Sequence, residues 1–151
     1  MQAKYKRILL KLSGEALAAD SDEILDFDFI VKVGEVLKKC VAIGVQIGII
    51  VGAGNIWRGR QGGKMNRVRA DHMGMLATTI NALALQDSFE AIGLKTKVLT
   101  AVSMQEFADK FTSRDAIKAL ENGEVVILGG GTGSPYFSTD TAAALRAAEI
   151  E

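Results

Sequence analysis

The sequence contains one cysteine, one proline and one histidine among 151 residues, and only 6% of its residues are aromatic. The single cysteine, Cys40, cannot form an intrachain disulfide, and no second cysteine or histidine cluster near it suggests a metal site. A reduced, cytoplasmic protein is therefore expected. The only proline, Pro135, lies inside a glycine-rich loop, so no proline-rich linker divides the chain and a single domain over residues 1–151 is predicted.

The sequence also lacks an excess of charge and a long apolar run. Lysine plus arginine balances aspartate plus glutamate, 18 against 18, so no global field would draw the protein to nucleic acid or to an anionic membrane. The N-terminus, MQAKYKRILLKLSGE, reaches a lysine after a few apolar residues and reads as a strand, neither a signal peptide nor a membrane span. We expect neither nucleic-acid nor membrane partners.

Short apolar runs alternate with longer segments of helical period. The runs at residues 8–12, 45–51, 97–102 and 124–128 are typical of buried strands, and residues 29–40, 73–83 and 116–120 repeat as helices do. Ser113 is the predicted N-cap of the third helix, and Gly44, Gly93 and Gly123 are the predicted helix ends. This order predicts an α/β fold with a mostly parallel sheet covered by helices on both faces.

The second helix is apolar on more than one side. Its predicted main stripe comprises Met73, Leu76, Ile80 and Leu83, and further apolar residues such as Met75, Ala77, Leu85 and Phe89 lie off that stripe. An apolar circumference predicts burial in a subunit interface.

Three of the four predicted strands run directly into a glycine-containing polar loop. The loops are KLSGE from Lys11, GAGNIWRG from Gly52 and GGGTGSPYFSTD from Gly129. Glycine lets the backbone approach a ligand closely, and exposed amides at loops and helix starts bind phosphate oxygens. Three such loops at one sheet edge indicate a polyphosphate site. Trp57 stands where a dinucleotide fingerprint needs a small residue, which disfavours a Rossmann NAD site.

Each charged residue in these loops has two interpretations. Lys11 is a mobile cation for phosphate or a solvated strand end before an ordinary turn, and Arg58 neutralises a transferring phosphoryl group or is solvated. Asp71 is predicted to bind a sugar hydroxyl, although either it or Asn66 could cap the second helix. Asp140 caps the last helix or orients magnesium and lysine at the phosphoryl group. Trp57 is expected to pack locally, and His72 is assigned no role.

Taken in order, KLSGE, GAGNIWRG, the DHMGMLAT stretch from Asp71 and GTGSPYFSTDTAAALRAAEIE from Gly131 closely resemble bacterial UMP kinases of the amino-acid kinase superfamily. The resemblance spans almost the whole chain. It implies a three-layer αβα sandwich, magnesium-dependent transfer of the γ-phosphoryl group of ATP to UMP in pyrimidine nucleotide synthesis, and assembly as a homohexamer.

The resemblance also implies roles for individual residues. Lys11, Arg58 and Asp140 would act in phosphoryl transfer, with Mg²⁺ bound together with ATP and no separate metal cluster in the protein. The ATP contacts would be Lys11, Leu12, Ser13, Gly14, Gly54 and Arg58. The UMP contacts would be Ala53, Asp71, Thr132, Gly133, Ser134, Pro135, Tyr136, Phe137, Ser138 and Thr139. The acceptor is a phosphate oxygen that is already anionic, so alignment and charge neutralisation matter more than a general base.

The sequence departs from the family in two places. The family's nucleotide-binding C-terminal part, with its adenine contacts and a further aspartate, would begin where this chain ends, so a truncated kinase of uncertain activity is expected. After KLSGEAL the chain reads AADSDEILDFDF, where many members have a Gly-Phe-Gly stretch linked to GTP activation, so GTP activation does not carry over. Phosphorylation of a carboxylate or carbamate and non-catalytic nucleotide binding are the alternatives, although the planar-base pocket of residues 132–139 disfavours the former.

Overall fold

The structure is a computed structural model that describes residues 3–151. Strands and helices alternate along most of the chain, and a 3-10 helix, Gly59–Gly62, follows the second strand. The strands are β1 (Arg7–Leu12), β2 (Gln46–Val51), β3 (Thr96–Thr100), β4 (Asp109–Lys110) and β5 (Val125–Gly129). The helices are α1 (Gly14–Ala18), α2 (Phe27–Ala42), α3 (Arg67–Ala91), α4 (Ser113–Glu121) and α5 (Thr139–Ile150).

The five strands form one sheet in the order β1-β2-β5-β3-β4, and the four pairings between these strands are all parallel. The predicted parallel sheet is therefore confirmed. All five residues of β5 and five of the six in β2 are buried, because helices cover both faces of the sheet there. The two-residue edge strand β4 and the five-residue helix α1 were not predicted, since neither is long enough to carry a hydrophobic period.

The sheet separates two apolar cores, which makes three layers. On one face Ile49, Val98 and Ile127 pack with Leu17, Ile30 and Phe89 of α1, α2 and α3. On the other face Ile50, Leu99 and Val126 pack with Leu120 of α4 and with Ala142 and Ile150 of α5. Alternate residues of a strand thus serve opposite cores, as period-two side chains require.

The helices end at the predicted glycines, but one predicted N-cap was wrong. Gly44, Gly93 and Gly123 all have positive φ, between 78° and 87°, just beyond a helix end. Glycine adopts that conformation without steric cost, so these three predictions are confirmed. The prediction of Ser113 as the N-cap of α4 was wrong, because Thr112 accepts the hydrogen bond from the Asp115 amide at 3.1 Å.

The predicted main stripe of α3 faces outward. Met73, Leu76 and Ile80 are exposed, whereas residues assigned to the flank, including Leu85 and Phe89, are buried in the core. The predicted main stripe is therefore not the side of α3 that packs against the sheet. Apolar residues nevertheless lie on both sides of the helix, as predicted. No helix within residues 3–151 combines the length and the apolar character that a membrane crossing requires.

Candidate active site

The three glycine-containing loops lie side by side because the strands that precede them are neighbours in the sheet. Leu12 at the end of β1 pairs with Val51 of β2, and Ile50 of β2 pairs with Leu128 of β5. Parallel strands all end at the same edge, so the loops after β1, β2 and β5 share that edge. This was predicted from the sequence, and the strand order explains it.

The first loop, KLSGE, runs into α1 and packs tightly on the second loop. The Ser13 hydroxyl accepts a hydrogen bond from the Ala16 amide at 3.2 Å and so caps α1. A Cβ atom added at Gly14 would lie 2.4 Å from the Gly54 amide nitrogen, and one added at Gly52 would lie 3.1 Å from the Gly14 nitrogen. The glycines of both loops are therefore needed for contact between the loops themselves, whatever ligand they bind.

The second loop is fastened to α3 by side-chain hydrogen bonds. Asn81, fully buried on α3, donates to the Gly52 carbonyl and to Asn55 Oδ1, both at 2.8 Å. The Asn55 amide donates in return to Asn81 Oδ1 at 3.1 Å, and the Trp57 indole N–H donates to the Ala70 carbonyl at 2.9 Å. Trp57 thus packs locally, as predicted.

Two ion pairs cross the open edge of the sheet. Lys11 Nζ lies 3.1 Å from Asp140 Oδ1, and the Arg58 guanidinium pairs with Glu15 and also reaches the Gly54 carbonyl at 3.4 Å. The Asp140 side chain is 78% exposed and that of Arg58 54%, so both pairs are largely hydrated. Such pairs contribute at most about 1 kcal/mol, and an incoming anion can displace the carboxylates at little cost.

Asp71 lies in the first turns of α3, where it does not act as the N-cap. The cap is Asn66, whose side chain accepts from the Arg69 amide. The Asp71 carboxylate instead accepts from the Tyr136 backbone N–H at 2.8 Å and from Arg67 Nε at 2.9 and 3.0 Å. Burial alone would raise the pKa of the Asp71 carboxyl, but the Tyr136 hydrogen bond and the Arg67 charge outweigh it and lower that pKa below 3.8. The group is therefore ionised at neutral pH.

The third loop, residues 129–140, depends on glycine and on contacts from two helices. Gly130 and Gly133 have φ near +78°, and a Cβ at Gly130 would lie 3.1 Å from the Ala101 nitrogen. The Gly130 N–H donates to the buried Thr78 hydroxyl of α3 at 2.8 Å. Arg146 of α5, only 6% exposed, donates to the Gly131 carbonyl at 3.3 Å.

The end of the third loop presents its aromatic residues to solvent. Tyr136 and Phe137 are 66% and 60% exposed, and Tyr136 adopts a left-handed φ of 70°. The Arg67 guanidinium lies 5.3 Å from the centre of the Tyr136 ring. Ser138 is the N-cap of α5, and Asp140 follows in its first turn, so Asp140 is not the cap.

Two adjoining cavities open between these loops. The larger, about 620 Å³, lies between the first and second loops, and the smaller, about 120 Å³, lies between α3 and the third loop. The larger falls within the range of about 300–1,000 Å³ usual for small-molecule sites, and the smaller falls below it. Ala53, Gly59, Asp71 and Thr139 line both. The two cavities therefore form one continuous cleft.

Predicted contacts line both cavities, and Ala53, Asp71 and Thr139 line each of them. Five of the predicted ATP contacts line the larger cavity: Lys11, Ser13, Gly14, Gly54 and Arg58. Six of the predicted UMP contacts line the smaller: Ala53, Asp71, Thr132, Ser134, Phe137 and Thr139. Six predicted residues line neither cavity: Leu12, Gly133, Pro135, Tyr136, Ser138 and Asp140. Two of them still contact residues of the cleft, since the Tyr136 N–H donates to Asp71 and Asp140 pairs with Lys11.

The roles of Glu15, Thr78 and Asn81 were not predicted from the sequence. Glu15 was quoted within KLSGE without a role, and Thr78 and Asn81 were taken as part of a helical pattern. Polar residues spaced three apart on an otherwise apolar helix were the available signal. Among residues 3–151 no group of three or more His, Cys, Asp and Glu side chains is placed to hold a metal ion.

Comparison with known proteins bears on the family and the fold of the chain. The model of the amino acid kinase family matches residues 6–151. The fold is similar to UMP kinase from Ureaplasma parvum, with a TM-score of 0.90 and 39% identity over 96% of this chain and 65% of that one. It is similar to UMP kinase from Bacillus anthracis, with a TM-score of 0.91 and 34% identity over 97% of this chain and 61% of that one. The chain thus spans less than two thirds of the length of these structures. The match to the family over residues 6–151 and the identity of 34–39% to solved members show that the chain belongs to the amino acid kinase family.

Proposed function

We propose that the protein is a UMP kinase, or the acceptor-binding part of one, which transfers the γ-phosphoryl group of ATP to UMP and yields UDP and ADP. The observation that carries the proposal is the pair of adjoining cavities: Lys11 and Arg58 line the larger one, and the ionised Asp71 lies where the two meet. The similarity to UMP kinases at 34–39% identity supports the choice of substrates.

The larger cavity suits the phosphates of ATP. Lys11 and Arg58 line it, and each pairs with a hydrated carboxylate, so both can turn to phosphate oxygens without leaving a buried charge behind. Phosphoryl transfer is accelerated mainly by positioning and by charge neutralisation, which two mobile cations supply.

The smaller cavity suits the acceptor nucleotide. Asp71 is ionised and can only accept hydrogen bonds, so it would bind the hydroxyl donors of a ribose rather than a phosphate. The third loop adds hydroxyls at Thr132, Ser134 and Thr139, and the Phe137 ring offers a flat surface for a pyrimidine. The cavity is small, so we expect the third loop to move outward when UMP binds.

The joined cavities would align the two phosphates without a general base. The attacking oxygen of UMP is already anionic, so the chain's own task is to hold both substrates in line and to balance their charge. Mg²⁺ bound with ATP would screen the phosphates further. It usually takes one or two carboxylates together with phosphate oxygens, and Asp140 at the cleft edge fits that donor set.

A second copy of this chain is the proposed partner. Leu76, Ile80 and Leu83 of α3, with Met104 and Phe107, line an apolar groove of about 260 Å³ on the outer face. Exposed apolar patches of this kind favour association, and we propose that the protein assembles into a homo-oligomer, a hexamer in the full-length form. The cytoplasmic setting predicted from the single cysteine remains a prediction.

The test is a coupled assay of ADP release with UMP, CMP and acetylglutamate as acceptors. It is run on this chain and on a chain extended through the C-terminal part that the solved UMP kinases have. We expect turnover with UMP in the extended chain and none with acetylglutamate. Turnover with acetylglutamate alone would transfer the protein to the carboxylate kinases, and binding of UMP without turnover in both chains would indicate a nucleotide-binding module.

A further inference from the structure

Helix α3 carries four buried polar side chains, and three of them, Thr78, Thr79 and Asn81, lie close together near its middle. Thr78 and Thr79 are each 3% exposed and Asn81 is fully buried, although all three lie among apolar neighbours. Polar groups are kept in such places only when hydrogen bonds satisfy them, so their partners indicate what they hold.

Thr78 holds the third loop. Its hydroxyl donates to the Met75 carbonyl at 2.7 Å and accepts from the Gly130 N–H at 2.8 Å. Gly130 is left-handed at φ +78°, and a Cβ atom added there would lie 3.1 Å from the Ala101 nitrogen, so the backbone packs closely on Ala101 at this point. The Thr78 hydroxyl therefore fixes where the third loop leaves β5.

Asn81 holds the second loop. Its amide donates to the Gly52 carbonyl and to Asn55 Oδ1, and it accepts from the Asn55 amide. A Cβ at Gly14 would lie 2.5 Å from Asn55 Oδ1, so the first loop packs directly on the segment that Asn81 fastens. One side chain thus positions both loops of the larger cavity.

We propose that Thr78 and Asn81 are positioning residues that set the separation of the donor and acceptor loops through one turn of α3. They are three residues apart, so they lie on the same helix face about 5–6 Å from each other. The proposal rests on the proposed function for the identity of the two substrates. The attachment of the loops by Thr78 and Asn81 is independent of the proposed function. Neither side chain is assigned contact with the reacting atoms.

Thr79 provides a matched control for Thr78. Its hydroxyl donates to the same Met75 carbonyl, at 3.2 Å, and it is equally buried, yet it accepts no hydrogen bond from the loop. Thr78→Val and Thr79→Val each replace a hydroxyl by a methyl group of similar size one residue apart. Only the first leaves the Gly130 N–H without its acceptor. Thr78→Ser restores that acceptor and serves as the rescue.

The first measurement is amide hydrogen exchange in this chain without ligand. Thr78→Val should speed exchange at residues 130–134 by roughly tenfold, because leaving a buried group without its hydrogen bond changes an equilibrium constant by about that factor. Thr79→Val and Thr78→Ser should leave that segment unchanged. Equal exchange in the two valine variants would overturn the role of Thr78, whether or not the protein is a UMP kinase.

Asn81→Leu should instead speed exchange at residues 52–56, with residues 130–134 unaffected. If that variant does not fold, Asn55→Ala removes the two hydrogen bonds between the Asn55 and Asn81 side chains while Asn81 stays in place. It should also speed exchange at residues 52–56. Wild-type exchange at residues 52–56 in the folded variants would overturn the role of Asn81.

The second measurement separates substrates by kinetics in the extended chain. Thr78→Val should raise the KM for UMP about tenfold with the KM for ATP unchanged. The Asn81 or Asn55 variant should instead raise the KM for ATP more than the KM for UMP, because the second loop holds predicted contacts with both substrates. A merely destabilising substitution would lower the active fraction and kcat without this split. If the wild type turns over no UMP, the proposed function fails, while the exchange results still decide the attachment of the loops.

Discussion

Substitution of Gly14 by alanine tests the close packing of the first two loops. Gly14 has no positive φ and begins α1, so alanine is compatible with its backbone, and any cost comes from the new methyl group. That methyl would lie 2.4 Å from the Gly54 nitrogen, 2.5 Å from Asn55 Oδ1 and 2.8 Å from the Ala53 carbonyl carbon. Favourable contacts between heavy atoms lie at about 3.5–4.0 Å, so the loops must separate by about 1 Å.

Overpacking of this size typically costs about 1–3 kcal/mol. For a chain of this length that corresponds to a fall in Tm of roughly 2–12 °C, followed by circular dichroism. Gly74→Ala is the matched control, because its methyl would meet only Trp57, at 3.9 Å, within a helix where alanine is favoured. Gly74→Ala should raise the free energy of unfolding by about 0.5–1 kcal/mol and so raise Tm. A Gly14→Ala variant as stable as the wild type would refute the packing described for the two loops.

Four further substitutions test individual contacts. Lys11→Ala in the extended chain should lower turnover about a hundredfold or more, as measured by ADP release, because one charge-neutralising donor is lost; unchanged turnover would remove Lys11 from the mechanism. Asp71→Asn should weaken UMP binding about tenfold by calorimetry. Because the folded state lowers the pKa of Asp71, its carboxylate stabilises the fold above the ordinary pKa of 3.8, and this contribution is lost as the pH falls through the folded pKa. The free energies of unfolding of the wild type and Asp71→Asn should therefore converge in acid. The hydrogen bond from Lys97 to Asp109 raises the pKa of Lys97. The charged lysine therefore stabilises the fold fully below its ordinary pKa of 10.5, and this contribution is lost as the pH rises through the folded pKa. The difference in free energy of unfolding between the wild type and Lys97→Met should therefore shrink in alkaline titration. Ile80→Lys should dissociate the oligomer in sedimentation without unfolding the chain, whereas an unchanged sedimentation coefficient would exclude the α3 groove as the interface.

The sequence predicted the parts of the fold that carry a strong hydrophobic signal. β2 and β5 are buried on both faces, so their residues form continuous apolar runs that periodicity detects. α1 and β4 escaped prediction because five and two residues are too few to establish a period. Thr112 and Ser113 are both good caps, and adjacent residues of similar chemistry cannot be distinguished from sequence alone.

The face of α3 could not be predicted for a physical reason. Apolar residues lie on more than one side of the helix, so its period indicates a helix without indicating which side meets the sheet. For the same reason the buried Thr78 and Asn81 looked like ordinary helix residues. The glycine loops were predictable because strand ends in parallel sheets converge, whereas the side chains that fasten them come from far along the chain and are identified only when the fold is known.

The strand order has a consequence for synthesis of the protein on the ribosome. β5 lies between β2 and β3, which do not pair with each other, and it is the last of the five strands to be made. Until residue 129 leaves the exit tunnel, β2 and β3 each have one edge that cannot pair, because β5 is not yet available between them. Unpaired strand edges of this kind promote aggregation, so a nascent chain ending before Val125 should depend on chaperones far more than one that includes β5.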